Sequence, residues 1–135
     1  MWVEWNPHPS KKQIGDCVIR ALCKALDQPW EKIYIDLMVE GFSRHNLPNA
    51  DAIWGKYLIK NGFERKLIPD DGFGEYTVED FARDNPNGIF VVSMPGSHVV
   101  TIVDSDIYDT WDSRCEIPTY YFCKKKIEDY FEREE

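Results

Sequence analysis

The chain has no apolar run approaching the roughly 20 residues that a bilayer-spanning helix needs, so no membrane association is expected. Its opening residues, Met-Trp-Val-Glu-Trp-Asn-Pro, lack a basic stretch followed by an apolar one. A secretory leader is therefore not expected, and the expected location is cytoplasmic. Positive charge is scarce: 16 Lys and Arg stand against 24 Asp and Glu, a net charge of −8. Apart from Lys124-Lys125-Lys126 the basic residues are scattered, which argues against a nucleic-acid partner. Cysteines are few. Cys17, Cys23, Cys115 and Cys123 are too sparse to demand a disulfide framework, and in a reducing compartment they are free thiols. Their closest spacing leaves five residues between Cys17 and Cys23, not the two to four of a structural zinc pair. Gly72-Phe-Gly74 lacks the lysine and following helix of a phosphate-binding loop. No metal and no cofactor is expected.

What is present fits one domain. The 135 residues are 43% hydrophobic and 14% aromatic, enough for one proper core over 1–135. Residues 1–12, with Pro7 and Pro9, read as an extended arm and loop. Asp16 is placed as the N-cap of a first helix, because Val18, Ala21, Leu22, Ala25 and Leu26 then form an apolar stripe. Pro29 suits the first turn of a second helix through Ile33, Leu37 and Val39 to about Gly41. A third spans Ala50 to Lys60, its apolar side formed by Ile53, Trp54, Tyr57 and Leu58, and Asn61-Gly62 ends it.

After Gly62 the character changes. Phe63 to Ile68 suits a short strand, and Thr77-Val-Glu-Asp80 opens a short helix with a capping pair. Ile89 to Met94, His98 to Val103, Ile107 to Trp111 and Thr119 to Cys123 are β-rich, with a tight turn at Asp104-Ser105. Residues 127–135 form a charged tail. The order predicts an α+β fold, with N-terminal helices packed on a C-terminal antiparallel sheet.

Three positions carry candidate chemistry. Cys17 stands in the first turn of the first helix, where the helix dipole and unpaired N–H groups favour a thiolate and can hold an oxyanion. Gly15 before it permits close approach of a substrate backbone. A small apolar cysteine at a core edge is the bland alternative. His98 opens a strand after Met94-Pro-Gly-Ser97, at the rim of the sheet, where it can serve as base for a neighbouring thiol. Folding the hairpin about Asp104-Ser105 sets residues whose numbers sum to 209 or 210 opposite each other. His98 then faces Trp111 or Asp112. Asp112 is favoured as the carboxylate that orients the ring, and Asp109, of opposite parity, is the alternative. Trp111 neighbours this carboxylate and can shield its hydrogen bond from water.

Gly-Asp-Cys17 on a helix, Gly-Ser-His98-Val-Val-Thr-Ile-Val opening a strand and Tyr-Asp-Thr-Trp-Asp112-Ser closing the next together resemble the papain-like cysteine peptidase superfamily. The resemblance covers roughly residues 6 to 123. It is closest to the compact bacterial and phage branches related to bacteriocin-processing peptidases and transglutaminase-like folds. It implies a thiol-dependent hydrolase, a peptidase or isopeptidase or else an acyl transferase, that uses a Cys-His-Asp triad on a peptide or protein substrate. Such enzymes often carry an oxyanion-hole Gln six residues before the Cys; position 11 here is Lys. The role falls to Gln13, with Asn6 the other amide nearby. The alternative is a non-catalytic domain of the same fold, a phage or mobile-element accessory that binds and inhibits a basic partner. Cys23, Cys115 and Cys123 read as packing residues, and His8 and His45 as surface residues. Oligomeric state is not legible.

Overall fold

The computed structural model describes residues 1–69 and 74–124, so the charged tail expected at 127–135 lies outside the described residues. In chain order the elements are β1 (Trp2–Glu4), α1 (Cys17–Leu26), α2 (Trp30–Ser43), α3 (Asp51–Lys60), β2 (Phe63–Leu67), α4 (Val78–Asp84), β3 (Ile89–Met94), β4 (His98–Val103), β5 (Asp106–Asp109) and β6 (Tyr120–Lys124). The strands form one six-stranded sheet in the order β1-β5-β4-β3-β6-β2. The fold is α+β, but two parts of the expected arrangement are corrected. The sheet is mixed, because β1 from the expected N-terminal arm joins β5 in parallel, Trp2 opposite Ile107 and Glu4 opposite Asp109. The helices lie on both of its faces. Three residues are too few to show an alternating pattern, and a parallel partner more than 100 residues away leaves no local turn signal; hence β1 was not expected.

The two faces have separate cores. Ala21, Leu22, Ile33, Leu37, Trp54 and Leu58 from α1, α2 and α3 pack against Phe63, Val91, Val99 and Phe122. On the opposite face Val78, Phe81 and Ala82 of α4 pack against Phe90, Val92, Met94, Val100, Ile102 and Ile107. Neighbouring residues of β3 and of β4 thus divide between the cores, as the two-residue period of a strand requires. Each such Leu, Ile or Phe contributes about 1.5–3 kcal/mol by leaving water. Gly55 lets α3 lie close over β6, since a Cβ there would come within 3.1 Å of the Phe122 ring.

The helices start and stop for local reasons. The Thr77 side chain accepts from the Asp80 N–H while Asp80 accepts from the Thr77 N–H, closing the capping box over α4. Pro29 occupies the N-cap position of α2 rather than its first turn, and that helix runs to Ser43. It buries only Ile33, Leu37 and Gly41, so Val39, expected inside, is exposed. Asp16 stands at the N-cap position of α1 but makes no side-chain cap bond. Its carboxylate is held instead by Arg20 and by the indole N–H of Trp30. Among the described residues no helix is long and apolar enough to cross a membrane.

Candidate active site

The hairpin of β4 and β5 sets the site. Thr101 pairs with Tyr108, Ile102 with Ile107 and Val103 with Asp106, so the register is the one in which numbers sum to 209. Continued toward the open end, that register gives His98 the parity of Asp109 and Trp111, not of Asp112. This corrects the favoured carboxylate. His98 Nε2 lies 2.6 Å from Asp109 Oδ2, and the Trp111 ring lies 4.7 Å from the His98 ring, tilted by 34°. Asp112 is exposed and turned to Arg114, which donates to both its oxygens at 2.9 and 2.7 Å. That pairing holds the Asp112 carboxyl below its ordinary value. A slip of one residue in a hairpin exchanges the faces, so the choice between the two aspartates was a choice of register.

Asp109 is fixed from several sides. The Trp5 N–H and the Trp2 indole N–H both donate to its backbone carbonyl, at 2.9 and 3.3 Å. The N-terminal strand is therefore what pins the end of β5. Its side chain is 2% exposed, and Oδ1 accepts from the Thr110 N–H at 2.7 Å and from Arg20 Nη2 at 3.4 Å.

The sulfur comes from α1. Thr101 Oγ1 donates to the Ala21 carbonyl at 2.6 Å, a buried bond that anchors the helix on β4. Cys17 is the first helical residue, half-buried, and its Sγ lies 3.4 Å from the Ser97 carbonyl. Ser97 itself is held at φ 59° beside Gly96 at φ 81°, the left-handed pair that closes the three-residue loop between β3 and β4. Burial alone would raise the Cys17 thiol. Hydrogen bonds from His98 and the Val99 N–H, with the charges of His98 and Arg20, outweigh burial and hold the thiol below its ordinary value. Burial also disfavours the imidazolium, yet the hydrogen bonds to Asp109 and Cys17 and their negative charges push His98 up to about 9. Each group stabilises the charged form of the other, the signature of a thiolate–imidazolium pair. With Nε2 committed to Asp109, Nδ1 is the ring nitrogen left for the sulfur.

The pair opens on a cleft of about 520 Å³, which Gln13, Gly15, Ser97, Thr110 and Trp111 help to line. Gln13 is exposed on this wall, within the same cleft as Cys17. Asn6 is not available as a second amide: its Nδ2 donates to the Lys12 carbonyl and its Oδ1 accepts from the His8 N–H. The first-turn N–H groups of α1 have no carbonyl one turn back within the helix and face the same end of the molecule as the sulfur. A smaller hollow of about 150 Å³, walled by Ile19, Tyr34, Leu37 and Met38, shares Gly15, Val18 and Asn49 with the cleft.

Sequence reasoning missed Arg20. It is 6% exposed although it stands off the α1 stripe of Val18, Ala21 and Leu22. Its spacing puts it off the apolar stripe, so the available signal was the i, i+4 relation to Asp16. His8 is also corrected: it is buried, accepts the Ser10 N–H at 3.1 Å through Nδ1, and lies 4.9 Å from the Trp30 ring. Cys115, expected to pack, is exposed, whereas Cys23 is buried and its thiol is pushed up to about 12 by desolvation and then by Asp16 and Glu31. The contrast with Cys17, six residues earlier on the same helix, is chemical: one sulfur sits among cations and the other among apolar groups and anions. Comparison of the chain with protein-family models, with curated proteins and with solved structures found no match.

Proposed function

We propose that this chain is a papain-like thiol hydrolase of amide or isopeptide bonds in peptide or protein substrates, with Cys17 as nucleophile, His98 as acid and base, and Asp109 behind the ring. The observation that carries the reading is the buried Asp109 carboxylate 2.6 Å from His98 Nε2, with His98 and Cys17 lining one cleft. The thiolate attacks the carbonyl carbon, and the oxyanion is held by first-turn N–H groups of α1 and the Gln13 amide. As the tetrahedral adduct collapses, the C–N bond breaks, and the leaving amine takes its proton from His98. A thioester remains on Cys17. Water then gives a proton to His98 and attacks the thioester, releasing the acid and restoring the thiolate. If an amine takes the place of water, the same thioester yields acyl transfer. Asp109 holds the ring tautomer and stabilises the imidazolium.

The test is a peptide-library hydrolysis screen with intact-protein mass spectrometry. Wild type is expected to cleave and to show a transient mass gain confined to Cys17, and Cys17→Ala to lose both while keeping its melting temperature. Equal cleavage by Cys17→Ala removes the reading.

One observation favours a second reading, a protein-binding accessory of the same fold. Ile35, Met38, Val39 and Phe42 on α2 are exposed at the i, i+3, i+4, i+7 spacing of a packing stripe, Phe42 at 85%. Such a face, with no covering element among the described residues, suits a partner helix. Retention of a cellular effect by Cys17→Ala supports it, and its loss supports the enzyme.

A further inference from the structure

Arg20 occupies a position that an apolar residue would fill at far less cost. It is buried on α1 although it stands off the apolar stripe, and an unpaired charge there would be strongly unfavourable. Its guanidinium is held at both terminal nitrogens. Nη1 donates to Asp16 and lies 3.4 Å from the Ile14 carbonyl, and Nη2 reaches Asp109 Oδ1 at 3.4 Å. The second oxygen of Asp16 accepts from the Trp30 indole at 2.9 Å, and the second oxygen of Asp109 holds His98. One cation therefore bridges the carboxylate beside the nucleophile and the carboxylate behind the base. The bridge joins the start of α1 to the end of β5.

The charge balance points the same way. Asp16, Arg20 and Asp109 together carry one negative charge, which the His98 imidazolium answers. The charged groups lining the cleft with Cys17 are Arg20 from α1, His98 from β4 and Asp51 from α3; Asp16, just before α1, and Asp109 of β5 stand behind Arg20 and His98. Asp51 is held by the Trp54 indole at 3.2 Å and the Tyr120 hydroxyl at 2.9 Å. Removing Arg20 would leave two carboxylates behind the thiolate–imidazolium pair with no buried cation except His98 itself. A planar fork can hold both acids at once; a lysine ammonium at the same place reaches one.

We propose that Arg20 is a positioning residue of the triad, whose guanidinium, shared between Asp16 and Asp109, fixes the carboxylate behind His98 and supplies the buried positive charge that sustains the Cys17 thiolate. This rests on the thiol-hydrolase reading, and its test separates the two. A residue that merely anchors α1 to β5 would change melting temperature without changing the ionisation of the sulfur.

The experiment follows iodoacetamide alkylation of Cys17 against pH in the full chain, read by mass spectrometry of the Cys17 peptide. Wild type, Arg20→Gln and Arg20→Lys are compared, with circular dichroism to establish folding. Wild type is expected to react well below the ordinary thiol range. Arg20→Gln is expected to move the acid limb up by about one pH unit, up to about tenfold slower on the acid side, with little change at high pH. Arg20→Lys is expected to recover part of that shift. A folded Arg20→Gln whose profile overlies wild type overturns the positioning role and leaves the triad standing. If Arg20→Gln does not fold, Arg20→Lys decides: slower alkylation near pH 6 supports the bridge, and a profile identical to wild type overturns it. A wild-type limb at the ordinary thiol value overturns the triad reading and this proposal together.

Discussion

The two faces of the sheet solve different problems. On the α4 face Phe81 meets Phe90 at 5.4 Å and Tyr121 at 4.9 Å, both edge to face, and the helix is closed by its own capping box. Its core residues are all apolar. At the start of α1, by contrast, Asp16, Arg20 and Asp109 are each at most 6% exposed, and they stand within one network with His98 and Cys17. An aromatic core gains stability from every contact; a buried charge network roughly breaks even and is kept for what it orients. The difference teaches that this chain derives its stability from one region and its chemistry from another, and that the two can be broken separately.

The largest expected effect lies on the apolar side. Phe81→Ala should cost about 3–5 kcal/mol in urea unfolding, by lost burial and the cavity left behind. It should leave the alkylation rate of Cys17 in the folded protein unchanged. A slowed sulfur in that variant would show that the two regions are not separable. The converse substitution is Asp109→Asn, which removes the charge that stabilises the imidazolium. Alkylation near pH 6 should fall by about tenfold, the equivalent of roughly one pKa unit, whereas Asp112→Asn should change it less than about twofold, as expected of an exposed pair with Arg114. Equal effects from the two aspartates would return the choice of register to the open.

A smaller effect sharpens the same contrast through the pH dependence of stability. His98 is raised in the folded chain, so its contribution is complete below the unfolded value of about 6.5 and is lost as pH rises through about 9. Cys17 is lowered, so its contribution is present above the unfolded thiol value and is lost as pH falls through the folded one. Above both about 6.5 and the lowered Cys17 value, and below the ordinary thiol range, the folded pair and the unfolded chain each hold one proton, and the two slopes cancel. Wild-type stability should therefore be nearly flat over that interval in urea titrations. Cys17→Ser removes the opposing slope while Asp109 still raises His98, so its stability should decline as pH rises above about 6.5. Parallel curves for the two proteins would deny the coupling.

Much of this was legible in the chain. β3 and β4 carry strong local patterns of β-branched and aromatic residues between turn signals, and both span the residues expected of them. Thr77 and Asp80 announce their helix with chemistry that acts over three residues. Cys17 and His98 were legible for the same reason, since each is placed by its own element: a helix start and a strand start. Asp109 was not settled, because a one-residue difference in hairpin register decides it; the two-residue turn Asp104-Ser105, both at positive φ (48° and 71°), sets that register by pairing Val103 with Asp106. What was hidden is the hold on the far end of β5 by Trp2 and Trp5 of the N-terminal segment, whose pairing is parallel and distant. Arg20 escaped for a related reason: its two partners converge only after α1 has docked on the sheet. Local chemistry is readable in sequence; what depends on docking is not.

The account turns on whether sulfur, imidazole and buried carboxylate share charge in the folded protein. The direct measurement is an NMR titration of the His98 ring nitrogens in the wild-type chain. An imidazolium that persists through neutral pH and loses its proton near 9 is the predicted result. A midpoint near the ordinary histidine value of about 6.5 would contradict it.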